Sequence, residues 1–247
     1  MNLAILAAMP DELAPFLAVS KGLTEISDHH AFRPARNSDS SERKLPNSGA
    51  RFYRAEISGK PVLLVATGVG LVNAATAATL AVTNGVDFLI STGSAGGVGK
   101  GVHVGDVVVA TETCYSTADA TAFTDYALGQ IPQMPARFKS DNSAVLAAQN
   151  IQLPKGKIHT GLTLSSDAFI WEKNYADYVA KFPDAMATDM ETAAIGQVAY
   201  QFGVPWLSVR GISDLCGPQG ADDFYTHLDG AANIAADVVV QLVGQLA

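Results

Sequence analysis

Residues 61–92 read PVLLVATGVGLVNAATAATLAVTNGVDFLIST. An aliphatic run at 61–66 gives way to the close-set glycines Gly68 and Gly70, then to an alanine-rich stretch of helical spacing at 71–83, then to a second apolar run at 88–91. Short aliphatic runs bounded by Gly and Asp read as buried strands, whereas apolar residues three and four apart read as one face of a helix. The stretch is therefore strand, glycine turn, helix, strand. The same alternation predicts further strands at 3–8, 106–111, 157–164 and 206–212, and further helices at 143–150, 192–202 and 228–246. Such an order gives an α/β sheet covered by helices on its faces.

The segment from about 20 to 51 differs from its surroundings, with His29-His30, several Ser and Arg and little periodicity, and reads as a surface excursion. After it, residues 51–57 and 61–66 flank Ser58-Gly59-Lys60, a hairpin signal. A length of 247 residues suits one domain over 1–247 with its own core. The net charge of -8 and pI near 5.0 repel phosphate backbones, which argues against nucleic acid and anionic membrane as partners. Cys114 and Cys216, far apart and outside metal-ligand spacing, indicate neither zinc nor a disulfide framework, and fit a cytoplasmic protein. The opening MNLAILAAMPDEL lacks a basic start and reaches Asp11-Glu12 at once, so it reads as a first strand rather than a signal peptide.

Two glycine clusters imitate cofactor motifs. Gly68-Val69-Gly70 follows a strand, but Asn73 stands where a dinucleotide fingerprint needs its third glycine. In GSAGGVGKG at 93–101, Ser94 replaces the first glycine of a phosphate loop and Gly101 the magnesium-binding hydroxyl. The expectation is a glycine-rich turn after the strand at 88–91, where backbone can approach a small molecule.

Seven further segments carry a resemblance: AAMPDEL at 7–13, STGSAGG at 91–97, TADATAF at 117–123, GQIPQMP at 129–135, SSDAFI at 165–170, ATDMETAAI at 187–195 and SVRGISD at 208–214. In order and largely in spacing the chain resembles the bacterial methylthioadenosine/S-adenosylhomocysteine nucleosidases of the purine nucleoside phosphorylase superfamily. The resemblance implies a three-layer α/β/α sandwich around a mixed, partly barrel-like sheet, a homodimer with shared active sites, adenine nucleosides as substrates, and neither metal nor organic cofactor. It assigns Asp214 as the acid that protonates N7 of adenine and Glu12 as the base that activates water. Glu191 would bind the ribose 2' and 3' hydroxyls, with Met190 packing beneath the sugar. Phe169 would stack on adenine while the Ile170 backbone bonds its edge. Ser94 and Arg210 would organise the water and Glu12, and Phe123 of the partner subunit would close over the 5' substituent. Val69, Ala95, Gly96 and Ser213 complete the expected pocket.

Taken singly, each acid has a plainer reading: Glu12 and Glu191 as first-turn acids favoured by a helix dipole, Asp214 as a loop or capping residue. The combined motifs outweigh these. Breaking a base–ribose bond needs an acid for the departing base, stabilisation of an oxocarbenium-like sugar and an activated nucleophile, tasks that suit three carboxyls. For Asp214 to hold its proton, burial should raise its pKa, or the proton should reach it through the bound base. A carboxylate at the nucleophile position repels phosphate, so hydrolysis is favoured over phosphorolysis. A non-catalytic nucleoside-binding protein is the remaining alternative. The chain departs from the family pattern in its long excursion, in an insertion of about one residue near 124–128, and in Thr117 where an acid is usual. These leave open the preference among methylthioadenosine, S-adenosylhomocysteine, 5'-deoxyadenosine and aminodeoxyfutalosine.

Overall fold

A computed structural model describes residues 1–26 and 49–246. Along the described residues run β1 (Leu3–Ala7), α1 (Pro10–Val19), β2 (Lys21–Glu25), β3 (Arg51–Ile57), β4 (Lys60–Ala66), α2 (Leu71–Thr83), β5 (Phe88–Gly97), β6 (Val107–Tyr115), β7 (Phe138–Lys139), α3 (Asn142–Gln149), β8 (Ile158–Ser165), α4 (Glu172–Lys181), β9 (Ala185–Asp189), α5 (Thr192–Phe202), β10 (Trp206–Asp214) and α6 (Gly220–Gln245).

The first strand shows why the sheet is covered on both faces. Alternate side chains of a strand point to opposite sides. Leu3, Ile5 and Ala7 pack with Leu13 and Phe16 of α1, Val145 of α3 and Val239 and Leu242 of α6. Ala4 and Leu6 pack with Ala74, Ala77 and Ala78 of α2 and Ala193 and Ala194 of α5. Helices α1, α3 and α6 thus form one outer layer, and α2 and α5 the other. In α2 the buried residues Ala74, Ala77, Ala78 and Ala81 follow helical spacing, and their small size lets the helix sit close to the sheet.

The sheet order is β10-β6-β8-β9-β5-β1-β4-β3-β2, and β5 pairs again with β10, so five strands close into a ring. The ring is mixed: β10 is parallel to β5 and antiparallel to β6, while β9 is parallel to β8 and antiparallel to β5. Ala95, Val108, Ala187 and Ile212, from four of its strands, make a cluster of their own with Val102. This is the expected sandwich with a partly barrel-like sheet.

The glycine-rich turn expected after residue 91 is instead strand, because β5 continues to Gly97. Its glycines admit neighbours rather than turn the chain. A Cβ on Gly93 would lie 2.5 Å from Glu12 Oε1, and one on Gly96 2.5 Å from Cys216 Sγ. The strands expected at 106–111 and 206–212 likewise extend, to Tyr115 and Asp214. The hairpin is present: Ile57 pairs with Lys60 across Ser58 and Gly59, whose positive φ values of 52° and 77° match a two-residue turn that follows the strand twist. Lys60 therefore belongs to β4. The excursion expected at about 20–51 falls outside the described residues over 27–48, and its opening residues form β2, paired with β3. Among the described residues, no helix is long and apolar enough to cross a membrane.

Candidate active site

The residues just after β1, the second half of β5 and the last residues of β9 and β10 border one space. A cavity of about 340 Å³ lies there. Of the expected site residues, Glu12, Asp214, Glu191, Met190, Phe169, Ile170, Ser94, Ala95, Gly96, Val69 and Ser213 all line it.

Glu12 sits in the first turn of α1, directly after β1, and its carboxylate is buried. Oε2 accepts from Ala8 N at 3.0 Å and Met9 N at 3.1 Å; Oε1 accepts from Ser94 N and Ser94 Oγ, both at 2.7 Å. The first pair ties it to its own helix start and the second to β5, beside the space left by Gly93. These bonds occupy the roughly four acceptor positions of a carboxylate.

Asp214 closes β10 and is also buried. Cys216 N donates to its Oδ1 at 2.9 Å and Ser213 Oγ to its Oδ2 at 3.0 Å. Burial raises its pKa, and the Cys216 and Ser213 donors only partly oppose the rise. The direction is the one expected of a carboxyl that keeps its proton. Cys216, which supplies the backbone donor, holds a left-handed φ of 57°.

Glu191 is the N-cap residue of α5. Its Oε1 accepts from Gly70 N at 2.9 Å, and its Oε2 lies 3.5 Å from Arg210 Nη1. Burial pushes its pKa up to about 7, with the charges of Asp189 and Glu12 adding to the rise and Arg210 opposing it.

Arg210 departs from its expected place. It is buried, does not line the cavity and makes no hydrogen bond to Glu12; its nearest carboxylate is Asp189, with Nε 2.9 Å from Oδ2. It also donates to Ser91 Oγ, Thr192 Oγ1 and the Ser94 carbonyl. The reason is that Asp189, accepting from Ser165 and Thr192 side chains and from the amides of Glu191 and Thr192, is a fixed counter-charge at the end of β9, which flanks β5 on the side opposite β10. Asp189 lines the cavity and was missed from the sequence although it stands inside the DMETAAI segment.

Phe169 and Ile170, between β8 and α4, form one wall of the cavity with Met190 and Val69. Sequence reasoning also missed Phe224 and Tyr225 of α6, which complete this wall. Phe224 meets Phe169 edge to face at 5.9 Å. An aromatic pair early in a long amphipathic helix was the available signal, but such residues usually belong to a core. Phe123, by contrast, stands away from the cavity on the loop after β6, with 67% of its surface exposed. Among the described residues, no Lys or Arg lines the cavity, whereas Glu12, Asp189, Glu191 and Asp214 all do.

A model of the phosphorylase superfamily matches residues 2–244. The sequence is 39% identical to the 5'-methylthioadenosine/S-adenosylhomocysteine nucleosidase of Staphylococcus carnosus over 79% of this chain and 87% of that one. It is 35% identical to the enzyme of that name from Anoxybacillus flavithermus, over 100% of this chain and 99% of that one. Among solved structures, the Neisseria meningitidis nucleosidase bound to methylthio-immucillin-A superposes with a TM-score of 0.87 at 32% identity, covering 99% of both chains. The Colwellia psychrerythraea nucleosidase bound to adenine gives 0.87 at 31% identity, covering 100% of this chain and 96% of that one. With the closed ring, the cavity lined by its strands and the ordered motifs in agreement, the chain belongs to the phosphorylase superfamily and, within it, to the 5'-methylthioadenosine/S-adenosylhomocysteine nucleosidase family.

Proposed function

We propose that this protein hydrolyses the N-glycosidic bond of 5'-methylthioadenosine and S-adenosylhomocysteine, releasing adenine and the 5'-thio-substituted ribose. The observation that carries the reading is the pair of buried carboxyls, Glu12 and Asp214, on one acidic cavity that no Lys or Arg of the described residues lines.

In this reading adenine lies against Phe169, its edge on the Ile170 backbone, with N7 toward Asp214. The Asp214 proton passes to N7 as the bond from ribose C1' breaks, and the bond's electron pair leaves with the base. Positive charge grows on the sugar, which the surrounding carboxylates stabilise. Glu191 accepts from the 2' and 3' hydroxyls above Met190. Water attacks C1' from the opposite face and gives its proton to Glu12. Because the acceptor positions of Glu12 are filled, the Ser94 hydroxyl turns aside to admit that water, while Ser94 N stays in place. Asp214 ends ionised and Glu12 protonated, and exchange with solvent restores both. Arg210 acts at one remove, through Asp189, Glu191 and the Ser94 carbonyl.

Water is the acceptor rather than phosphate for an electrostatic reason. The backbone amides of Ala8, Met9 and Ser94 are taken by Glu12, and the Arg210 guanidinium is paired with Asp189. Incubation with methylthioadenosine tests this. Adenine and methylthioribose should form equally in phosphate-free and phosphate buffers. A sugar phosphate formed only with phosphate would make the protein a phosphorylase, and tight binding without product would make it a binding protein.

The homodimer belongs to the same proposal. Phe123, exposed in the single chain, is suited to reach the cavity of a second copy, with the neighbouring segment 129–132 as the contact. A cytoplasmic location is our reading of the acidic charge together with two free, buried cysteines.

A further inference from the structure

The wall that would hold the base, 168–170, has no helix or strand of its own to fix it. Asp167, immediately before it, reaches across to a helix 96 positions away in sequence: its Oδ1 accepts from Leu71 N at 2.8 Å. Leu71 is the first residue of α2, whose N-cap is Gly70, a residue with no side chain to cap the helix. The first amides of a helix need outside acceptors, and a carboxylate there also meets the positive end of the helix dipole. Gly70 N and Leu71 N are therefore capped in turn by two remote acids, Glu191 at 2.9 Å and Asp167. Gly70 leaves room for this, since a Cβ there would lie 2.9 Å from Asp167 Oδ1.

We propose that Asp167 is a positioning residue that latches the base-binding wall to the start of α2, so that the wall and the ribose-binding Glu191 are registered against the same two amides. The inference rests on the reading of the cavity as an adenine nucleoside site. Asp167 does not line the cavity, so its role is exerted through Phe169 and Ile170. On the far side the wall is tied to α4, where Asn174 donates to the Phe169 carbonyl and accepts from Trp171 N. Losing the Asp167 bond thus removes the wall's tie to α2 and leaves in place the α4 ties and the longer contacts of the Ser166 hydroxyl with Ala168. A wall that spends less time in its binding position weakens affinity in proportion to the lost population. It leaves Glu12 and Asp214 where they are once substrate is bound.

The experiment uses full-length Asp167→Ala and Asp167→Asn proteins and three readouts. Asp167→Ala should weaken adenine binding and raise KM for methylthioadenosine by about five- to thirty-fold, the scale of one lost helix cap, with kcat within about threefold of wild type. Asp167→Asn keeps an acceptor oxygen and should recover most of the affinity. Trp171 adjoins the wall and Trp206 is buried, so acrylamide quenching of tryptophan fluorescence follows the wall. Quenching should rise in ligand-free Asp167→Ala and return toward wild type on saturation with adenine. Adenine affinity within twofold of wild type in Asp167→Ala, or a loss carried by kcat with KM unmoved, would overturn the latch alone. Wild-type protein that binds no adenine would overturn the reading of the cavity and the latch with it.

Discussion

Replacing Glu12 by Gln separates the two tasks that its carboxylate performs. The side chain keeps its size, yet each of its two oxygens now accepts two hydrogen bonds. If the new amide nitrogen faces Ala8 and Met9, it opposes two backbone donors. Facing Ser94 is the better choice, because the hydroxyl can reverse and accept, and only Ser94 N is left opposing a donor. One buried unsatisfied donor costs about 1–3 kcal/mol, and the bonds that remain lose their charge-assisted share. Against this, removal of one of several neighbouring negative charges relieves repulsion on Glu191. The net loss comes to roughly 1–4 kcal/mol, or about 3–12 °C in Tm for a chain of this size. Activity should fall much further, with kcat down by about 10²–10⁴ at saturating methylthioadenosine, because the water loses its base. Thermal melting and initial rates of adenine release measure the two effects on one preparation. A variant with wild-type Tm would refute the donor arrangement around Glu12. A stable, correctly folded variant with near-wild-type kcat would refute its role as the base.

Asp214→Asn should lower kcat by about 10²–10⁴ with Tm little changed, and rapid turnover by the variant in a discontinuous adenine assay would remove the proposed acid. Glu191 holds its proton up to about pH 7 in the folded chain against an ordinary value of 4.5, so the folded state binds more protons than the unfolded state between those limits. Its contribution to stability is full below about 4.5 and is lost as pH rises toward 7, and Glu191→Gln should flatten the fall in urea midpoint across that window; an unchanged slope would count against the assignment. Phe123→Ala should raise KM without lowering the stability of the chain, since the ring is exposed in one copy; size-exclusion mass and kinetics together check it, and full activity from a monomer would exclude a shared site. Gly96→Ala places a Cβ 2.5 Å from Cys216 Sγ and 3.3 Å from Asp214 Oδ1, so it should impair both folding and turnover, and Cys216→Ala in the same chain should recover part of each; strict additivity in that double-mutant cycle would show that the two positions do not touch.

The α/β class was legible because β1, β4 and α2 obey simple periods: continuous apolar runs for buried strands and alanines three and four apart for the helix. The length of β5 was not. Local rules read Gly93, Gly96 and Gly97 as punctuation, whereas their reason lies in Glu12, Cys216 and Ile212, which approach from distant parts of the chain. Strands β2 and β7 are short or exposed and owe their place to pairing partners. Most cavity residues could be named because they stand inside recognisable segments. Arg210 was expected beside Glu12, whose charge does act on it, but its direct ion pairs are with Asp189 and Glu191, since sequence says that a guanidinium is near several acids but not which of them is held rigidly enough to pair with it. Phe224 and Tyr225 were invisible as site residues for a related reason, their spacing being equally suited to a core.

The closure of the ring by β10 bears on how the chain is made. Until the ribosome has added residues 206–214, β5 and β6 lack their common partner, and both present unpaired apolar backbone at positions such as Leu89, Ile90, Val107 and Val109. Exposed strand edges of this kind are templates for association with other chains. The final strand removes both edges at once while delivering Arg210 and Asp214. A nascent chain therefore lacks its acid for as long as those two edges are open, and α6, which follows directly, completes the cavity wall.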